Sequence, residues 1–177
     1  KFVGCDNYRA VFEDDAFWHT LWLTLGYVLA CVVLVNLVAF GLALGEELGK
    51  LGCRVRLFAR RADLLAQEAS RLKAEWTAVD VADSAAVETA VQEALGVDGT
   101  PFFFFICAGL ALPGYLLDLS AADIDKMNQV NYLGTAYVCK AVLPALVAQK
   151  AGHIVNVSSL GGLMGLFGYT AYCGTKY

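Results

Sequence analysis

The 177 residues fit one domain of ordinary size, or a small domain with an appendage. Hydrophobic residues make up 58% of the chain, more than the roughly 45–50% of an average soluble domain, which indicates either deep burial or contact with lipid. The formal net charge is −4 and no basic run is interleaved with aromatic residues, which argues against a nucleic-acid-binding surface.

The first predicted element is an uncharged apolar run at 16–45, AFWHTLWLTLGYVLACVVLVNLVAFGLALG. A helix of about 20 apolar residues spans a bilayer, so the run is long enough for an N-terminal transmembrane helix. Trp18, Trp22 and Tyr27 stand near its start, where interfacial aromatic residues are expected. Basic residues are more frequent after the run than before it, which predicts a membrane-associated protein whose following part is cytoplasmic.

The same run also fits a buried strand. Its segment LACVVLV is rich in β-branched residues and suits a central strand of a parallel sheet that is covered on both faces. Under this alternative the protein is cytoplasmic, and the strand feeds a helix that glycine ends at EELGKLG.

Short apolar strands alternate with helical segments after residue 45. Strands are predicted at 53–59, 76–81, 101–109 and 152–159, and helices at 64–75, 84–95 and 119–150. The last helix is expected to break near Pro144 or just after it, because proline cannot donate a helical hydrogen bond. Alternating strands and helices imply right-handed crossovers, a parallel sheet and hence an α/β fold.

The cysteines are scattered and form no C-x-x-C pair. They are Cys5, Cys31, Cys53, Cys107, Cys139 and Cys173. Only His19 and His153 could join them as ligands, so the sequence predicts free thiols in a reducing compartment and no metal site.

Tyr172 and Lys176 stand four residues apart in GYTAYCGTKY. On a helix that spacing puts both side chains on one face, with the ammonium close to the phenol. A free tyrosine has a pKa near ~10, and a neighbouring cation lowers that pKa because it favours the phenolate. A phenol tuned in this way suits a ketone that is reduced by hydride, since the ketone needs a proton donor as negative charge builds on its oxygen.

Ser159 supplies a second part of this chemistry. It ends the predicted strand IVNVSS, thirteen residues before Tyr172, and a glycine-rich loop lies between them. A serine at the end of a strand can donate a hydrogen bond to the same carbonyl oxygen. The pair Tyr-x-x-x-Lys alone recurs by chance on helix surfaces, and the strand-borne serine makes the pattern specific.

These residues and their surroundings resemble the short-chain dehydrogenase/reductase family over about 41–177. The resemblance rests on VNVSSLGGLMGLFGYTAYCGTK, on VNYLGT at 130–135, on CAG at 107–109 and on VDVAD at 79–83. It implies a Rossmann-type doubly wound parallel sheet that binds a nicotinamide dinucleotide. The family continues through further strands after its lysine, so the resemblance also implies a sheet that is truncated at its C-terminal end.

The resemblance assigns a role to each matching residue. Tyr172 would be the catalytic acid/base, and Lys176 would lower its pKa and hold the nicotinamide ribose. Ser159 would bind the substrate carbonyl, and Asn131 would anchor a water of the proton relay. Further cofactor contacts are implied for residues near the strand ends, namely Gly41, Asp80 beside the adenine, Ala108 and Gly109.

Arg60 and Arg61 favour NADP(H) as the cofactor. Members that prefer NAD usually carry an acidic residue at the end of the second strand, where it binds the ribose hydroxyls. Here that position is Ala59, and the two arginines after it can bind a 2′-phosphate bidentately. Two solvated arginines at a turn are the alternative.

Two motifs depart from the family's pattern. In the first loop, Thr-Gly-x-x-x-Gly-x-Gly, the third glycine is Gly41, but the second falls on Ala39 and the first on Val35. Side chains there would occupy space that the pyrophosphate needs, so weakened cofactor binding is expected. In Asn-x-Ala-Gly, Ile106 replaces the asparagine and removes a polar contact that supports the central strand.

The start of the chain resembles a different family. FVGCDNY and the paired aromatic residues after it are similar to the beginning of a sugar-type ABC transporter permease. This resemblance predicts a permease-like hydrophobic segment at 1–45 and a truncated short-chain dehydrogenase/reductase domain at 46–177.

Three functions are compatible with these patterns. The first is an NADP(H)-dependent oxidoreductase acting on a lipidic ketone, because GLFGYTAY and MNQVNYLGTAYVCKAVLP are most similar to 3-ketodihydrosphingosine reductases, which serve sphingolipid synthesis and are commonly membrane-associated. The second is a membrane component of an ABC sugar transporter, and the third is a non-catalytic Rossmann-like module. Family members are often dimers or tetramers, so a homo-oligomer is compatible with the first.

Overall fold

The computed structural model of the chain describes residues 18–19 and 41–177. The chain divides into two compact units, Lys1–Ala39 and Phe40–Tyr177, and every element given below belongs to the second.

Several sequence predictions fall on residues outside the described part. They are the hydrophobic helix over most of 16–45, the permease-like segment over most of 1–45, and the side chains that replace glycine at Val35 and Ala39. These remain predictions from the sequence.

Helices and strands alternate through the second unit, as predicted. The first helix, α1, is described over 41–50, and Gly52, at φ +80°, follows its end. The remaining elements are β1 (Arg56–Ala59), α2 (Ala62–Leu72), β2 (Glu75–Ala78), α3 (Ser84–Asp98), β3 (Phe103–Ile106), α4 (Ala121–Asn128), a π-helical turn (Gln129–Leu133), α5 (Gly134–Gln149), β4 (His153–Asn156), a 3₁₀ turn (Leu160–Gly162) and α6 (Thr170–Lys176).

The described strands form two parallel pairs. In one pair β1 lies beside β2, with Ala59 opposite Ala78, and in the other β3 lies beside β4, with Ile106 opposite Asn156. Each pair is joined through a helix, as parallel neighbours require. Parallel strands that alternate with helices confirm the predicted α/β class.

The core is built by α3 and α5 packing against each other and against the end of β3. Its buried side chains are Val87, Val91, Ile106, Val138, Ala141, Val142 and Leu146. Each fully buried valine or leucine contributes about 1.5–3 kcal/mol. The helix α5 begins at Gly134, where a Cβ would lie 2.8 Å from Cγ2 of Val81, so glycine permits this close approach.

Local signals in the sequence explain where the helices begin. Asp83 caps α3 by accepting hydrogen bonds from the main-chain N–H groups of Ala85 and Ala86, both at 3.0 Å. Ser120 and Asp123 form a reciprocal capping box at the start of α4. These side chains satisfy N–H groups that would otherwise lack partners.

The predicted break near Pro144 is wrong. Pro144 lies inside α5, which continues to Gln149. An internal proline costs a helix about 3 kcal/mol, and burial of Val142 and Leu146 on either side offsets that cost. The departure from α-helical geometry lies earlier, in the π-helical turn at Gln129–Leu133.

One helical stretch among the described residues, Ala121–Gln149, is long and apolar enough to cross a membrane. Met127 and Val142 within it have no exposed surface. Part of its apolar surface is therefore buried in the core of the unit, while Leu143 and Val147 are exposed.

Candidate active site

The predicted catalytic residues come from elements that meet at the carboxyl ends of β3 and β4. Ser159 follows β4, Asn131 lies in the π-helical turn, and Tyr172 and Lys176 lie on α6. Ligand sites in α/β sheets form outside the carboxyl ends of the strands, so the fold places these residues where such a site is expected.

Tyr172 is packed against a glycine-rich turn. Its side chain is 4% exposed, and its ring makes an edge contact with Tyr169 at 6.0 Å between centroids. A Cβ at Gly161 would lie 3.2 Å from a carbon of the Tyr172 ring. The glycine therefore lets the turn after β4 cover the tyrosine closely.

Lys176 lies one helical turn after Tyr172 and reaches back to the end of β4. Its Nζ donates a hydrogen bond to the main-chain oxygen of Val157 at 3.3 Å. Burial lowers the pKa of Lys176, and the nearby thiol of Cys107 partly opposes this shift. Burial in turn raises the pKa of Cys107, while Lys176 acts to lower it. The ammonium and the thiol therefore share one partly buried space.

Asn131 is buried at 3% exposure, and its side chain is held from two directions. Its Oδ1 accepts from the N–H of Leu110 at 2.7 Å, and its Nδ2 donates to the oxygen of Leu110 at 2.8 Å. Nδ2 also donates to Oγ1 of Thr175 at 2.8 Å. Both amide hydrogens are thus engaged, which fixes the loop after β3 against α6.

Ser159 is oriented by the turn that follows it. Its Oγ accepts a hydrogen bond from the N–H of Gly161 at 3.2 Å. Because the hydroxyl serves as the acceptor in this bond, its own hydrogen remains to be donated. Gly161 thus touches both Ser159 and the ring of Tyr172.

A second group of predicted residues lies at the carboxyl ends of β1 and β2. Nη1 of Arg60 lies 3.9 Å from Oδ2 of Asp80, and both side chains are about half exposed. Asp80 also accepts a hydrogen bond from the N–H of Ala82 at 3.0 Å. Arg61 is the N-cap residue of α2 and makes no capping hydrogen bond with its side chain. The guanidinium of Arg60 is therefore half exposed beside a carboxylate, and Arg61 is exposed.

The loop after β3 connects the remaining predicted residues. A Cβ at Gly109 would lie 3.8 Å from Nζ of Lys176, and a Cβ at Gly41 would lie 3.7 Å from Sγ of Cys107. Ala108 lies between Cys107 and Gly109. The first described residue of α1, this loop and the end of α6 therefore converge.

Ile106 has a purely structural place in the core. It is 6% exposed and belongs to the apolar cluster between α3 and α5. Its main-chain oxygen accepts a hydrogen bond from the N–H of Val157 at 3.0 Å, which joins the end of β3 to the end of β4. At the position where the family's pattern has asparagine, this chain thus has an isoleucine that packs in the apolar core.

Sequence reasoning missed Thr175. Its hydroxyl accepts from Asn131 and donates to the main-chain oxygen of Tyr172 at 2.7 Å. The available signal was its spacing, since a residue three after Tyr172 lies on the same side of the helix.

The described residues fit a nicotinamide dinucleotide. Among them, no carboxylate pairs with the ammonium of Lys176, which uses one N–H on Val157 and has others for ribose hydroxyls. Arg60 and Arg61 offer exposed guanidinium groups that suit a phosphate.

Comparison with known proteins identifies the family of the chain. The family model described as short chain dehydrogenase matches residues 32–177. The 3-ketodihydrosphingosine reductase of Bos taurus is 32% identical over 147 residues, which cover 77% of this chain and 44% of that protein. This chain thus spans about half the length of the curated relatives it matches.

Solved structures of dehydrogenases and reductases are similar in fold to this chain. The actinorhodin polyketide ketoreductase with NADPH has a TM-score of 0.74 at 27% identity, over 77% of this chain and 55% of that one. The NAD⁺-bound xylitol dehydrogenase also has a TM-score of 0.74, at 26% identity and the same coverage of both chains. The predicted Rossmann-type fold is therefore confirmed.

The matched range bears on the predicted division of the chain. The family match begins at residue 32 rather than near 41, so it includes part of the segment at 1–45 that resembles a permease. The relatives reported above lend no support to the permease resemblance. The chain belongs to the short-chain dehydrogenase family.

Proposed function

We propose that the chain carries the catalytic residues of an NADPH-dependent reductase of ketones. The observation that supports this most strongly is the partly buried ammonium of Lys176, which lies one turn after the buried Tyr172 and has no carboxylate partner among the described residues. Lys176 thereby supplies a cation on the helix that carries Tyr172, four residues after it. Ser159 provides a hydroxyl beside the same turn.

The chain's residues divide the work of reduction. When bound, the dinucleotide supplies the hydride that adds to the carbonyl carbon. Tyr172 gives its hydroxyl proton to the carbonyl oxygen, and Ser159 donates a hydrogen bond to that oxygen while charge builds on it. Lys176 binds the ribose hydroxyls. Asn131, whose amide hydrogens are engaged with Leu110 and Thr175, acts as the acceptor that anchors the water from which Tyr172 regains a proton.

Arg60 and Arg61 support NADPH rather than NADH. Each lies at or just after the end of β1, where an acidic residue would bind the ribose hydroxyls of NADH. Here Ala59 ends the strand, and a guanidinium can bind a 2′-phosphate with two parallel hydrogen bonds. Asp80 is exposed beside them and serves the adenine.

A lipidic ketone is the proposed substrate class, with 3-ketodihydrosphingosine as the specific candidate. The names of several relatives support this, among them the reductases of Bos taurus and Mus musculus. So does an exposed apolar surface on the two loops that flank Tyr172, where the rings of Tyr115 and Phe167 contact each other at 5.5 Å. The other large apolar side chains of this surface are Leu116, Leu117, Leu163 and Met164.

A lipidic substrate also makes membrane association part of the proposal. The run at 16–45 would hold the protein at the bilayer, with the reductase unit on the cytoplasmic side. Extraction of membranes with carbonate tests this, because a spanning helix stays with the lipid and release into the soluble fraction would contradict it.

A non-catalytic module with the same fold is the second candidate. It is favoured by the loss of two glycines from the first loop, at Val35 and Ala39. Titration of the chain with NADPH, followed by tryptophan fluorescence or calorimetry, separates the two. Binding at micromolar concentrations would exclude the non-catalytic candidate, and no binding at millimolar NADPH would exclude the reductase.

A further inference from the structure

Thr175 joins two parts of the site through one hydroxyl group. Its Oγ1 accepts a hydrogen bond of 2.8 Å from Nδ2 of Asn131 and donates one of 2.7 Å to the main-chain oxygen of Tyr172. A hydroxyl can accept and donate at the same time, whereas a methyl group can do neither.

The bond from Asn131 is buried. Asn131 is the one buried polar or charged residue among those described, and the second hydrogen of its amide goes to the oxygen of Leu110. Loss of the Thr175 hydroxyl would leave a buried N–H without an acceptor, which a protein avoids by moving one of the two partners. Either movement shifts α6 relative to the loop after β3.

The bond to Tyr172 acts on the helix itself. The helix α6 has seven residues, Thr170–Lys176. The Thr175 hydroxyl donates to the main-chain oxygen of Tyr172, three residues earlier on the same helix, as a helical threonine can do in addition to the helix's own hydrogen bonds. This bond sets the orientation of the hydroxyl, whose oxygen ties the last turn of α6, the turn that carries Lys176, to the buried amide of Asn131.

We propose that Thr175 is a positioning residue, whose hydroxyl fixes the last turn of α6 and thereby holds the ammonium of Lys176 at its place beside the main-chain oxygen of Val157. It acts through Lys176 and touches neither substrate nor cofactor. Its effect on turnover rests on the proposed function, whereas its effect on Lys176 does not.

The test compares Thr175→Val, which keeps the shape and removes the hydroxyl, with Thr175→Ser, which keeps the hydroxyl. The matched control is Thr89→Val on α3, since the Thr89 hydroxyl donates a 3.0 Å bond to the main-chain oxygen of Ala85, away from the site. The first readout is the pH at which acetic anhydride acylates Lys176 half-maximally, followed by mass spectrometry. The second is kcat and KM for NADPH-dependent ketone reduction.

In Thr175→Val, a Lys176 released to solvent should be acylated with a midpoint at higher pH, because burial no longer lowers its pKa. We expect kcat to fall at least about 10-fold, with KM for the ketone changed less than about twofold, because misplacement by about 1 Å can cost on the order of 100-fold. Thr175→Ser and Thr89→Val should keep the parent's midpoint and rates.

An unchanged midpoint in Thr175→Val would overturn the proposal, as would a Thr175→Ser variant that is equally impaired. If Thr175→Val does not fold by circular dichroism, Thr175→Ala replaces it. If neither folds, the hydroxyl serves folding itself and the positioning role is rejected. A parent chain that reduces no ketone would refute the proposed function, and the Lys176 midpoint would still decide the role of Thr175.

Discussion

The ammonium of Lys176 donates a 3.3 Å hydrogen bond to the main-chain oxygen of Val157, two residues before Ser159. Val157 in turn donates its N–H to the oxygen of Ile106 at 3.0 Å. These two bonds connect the helix that carries Tyr172 to the ends of β4 and β3. The relative position of the serine and the tyrosine therefore depends on main-chain contacts rather than on a loop alone.

Gly162 lies where the turn after β4 packs against the end of α6, and this contact leaves little room for a side chain. A Cβ there would overlap the main-chain oxygen of Lys176 and lie 2.9 Å from Oγ of Ser158. We predict that Gly162→Ala displaces α6, costs about 1–3 kcal/mol of stability and lowers any reductase activity by on the order of 100-fold. Denaturant unfolding and kinetics measure the two effects.

The matched control is Gly165→Ala in the same loop, because a Cβ at Gly165 would meet nothing within 4 Å. It should leave activity unchanged and alter stability by less than about 1 kcal/mol. If the two substitutions lower stability and activity equally, the effect comes from altering the loop in general and not from the contact with the main-chain oxygen of Lys176.

The arginine pair is predicted to select the cofactor. Replacing Arg60 and Arg61 by alanine should weaken NADPH binding at least about 10-fold and leave NADH binding nearly unchanged, because only NADPH carries the 2′-phosphate. The pair of Arg60 with Asp80 is exposed and 3.9 Å long, so its loss should barely affect stability.

The control for this prediction is the double variant Lys126→Ala and Lys140→Ala, which removes the same charge from exposed positions on α4 and α5. Fluorescence titration with both cofactors measures the affinities. If the affinities for NADPH and NADH fall equally in the arginine variant, the arginines do not recognise the 2′-phosphate.

The apolar loop surface is predicted to bind the hydrocarbon chain of the substrate. Phe167 is 67% exposed and contacts the ring of Tyr115. Phe167→Ala should raise KM for a long-chain ketone by about 10-fold. The reason is that burying a large apolar side chain against the ketone's hydrocarbon chain contributes roughly 1.5–3 kcal/mol. A short-chain ketone should be unaffected.

The control is Phe102→Ala, because Phe102 is 54% exposed and precedes β3, at the end of the strand opposite the site. It should change neither KM. If Phe167→Ala affects ketones of both lengths alike, the loops do not serve as a chain-binding surface.

Asp98 is predicted to make stability depend on pH. It accepts hydrogen bonds from Arg56 and from Arg54, the latter at 2.7 Å, and it ends α3. The hydrogen bond from Arg56 is the main reason that the pKa of Asp98 lies below its usual range. The folded state therefore binds this proton more weakly than the unfolded state.

The sign of the pH effect follows directly from that difference. The stabilisation from Asp98 is complete above its unfolded pKa of ~3.9 and is lost as pH falls through the lower folded pKa. Asp98→Asn should cost about 1–2 kcal/mol at neutral pH and less in acid. Glu93→Gln, on the exposed side of the same helix, should have no effect. Urea unfolding at several pH values measures both, and an Asp98→Asn cost that stays constant with pH would contradict the assignment.

The sequence predicted the order of helices and strands well because hydrophobic periodicity, caps and glycines are local signals. The helices predicted from residues 84 and 119 begin at Ser84 and Ala121, where the structure shows Asp83 and Ser120 as the capping residues. The prediction of a break near Pro144 was wrong because burial of α5 outweighs the cost of a proline inside the helix. The π-helical turn that carries Asn131 has no comparable local signal, since tertiary contacts with Leu110 and Thr175 hold it.

The candidate site could be proposed from the sequence where its chemistry depends on spacing along the chain. Tyr172, Lys176 and Ser159 are separated by fixed intervals that a sequence displays directly. The contacts of Lys176 with Val157 and of Asn131 with Thr175 are between segments far apart in the chain, so no interval reveals them.

We propose Tyr172 as the proton donor of an NADPH-dependent ketone reduction. The most direct measurement is NADPH consumption with a long-chain ketone such as 3-ketodihydrosphingosine, by the parent chain and by Tyr172→Phe, together with NADPH affinity. We predict that Tyr172→Phe lowers kcat by about 100-fold to 10,000-fold and leaves NADPH affinity nearly unchanged. A Tyr172→Phe variant that consumes NADPH with the ketone as fast as the parent chain would contradict the claim.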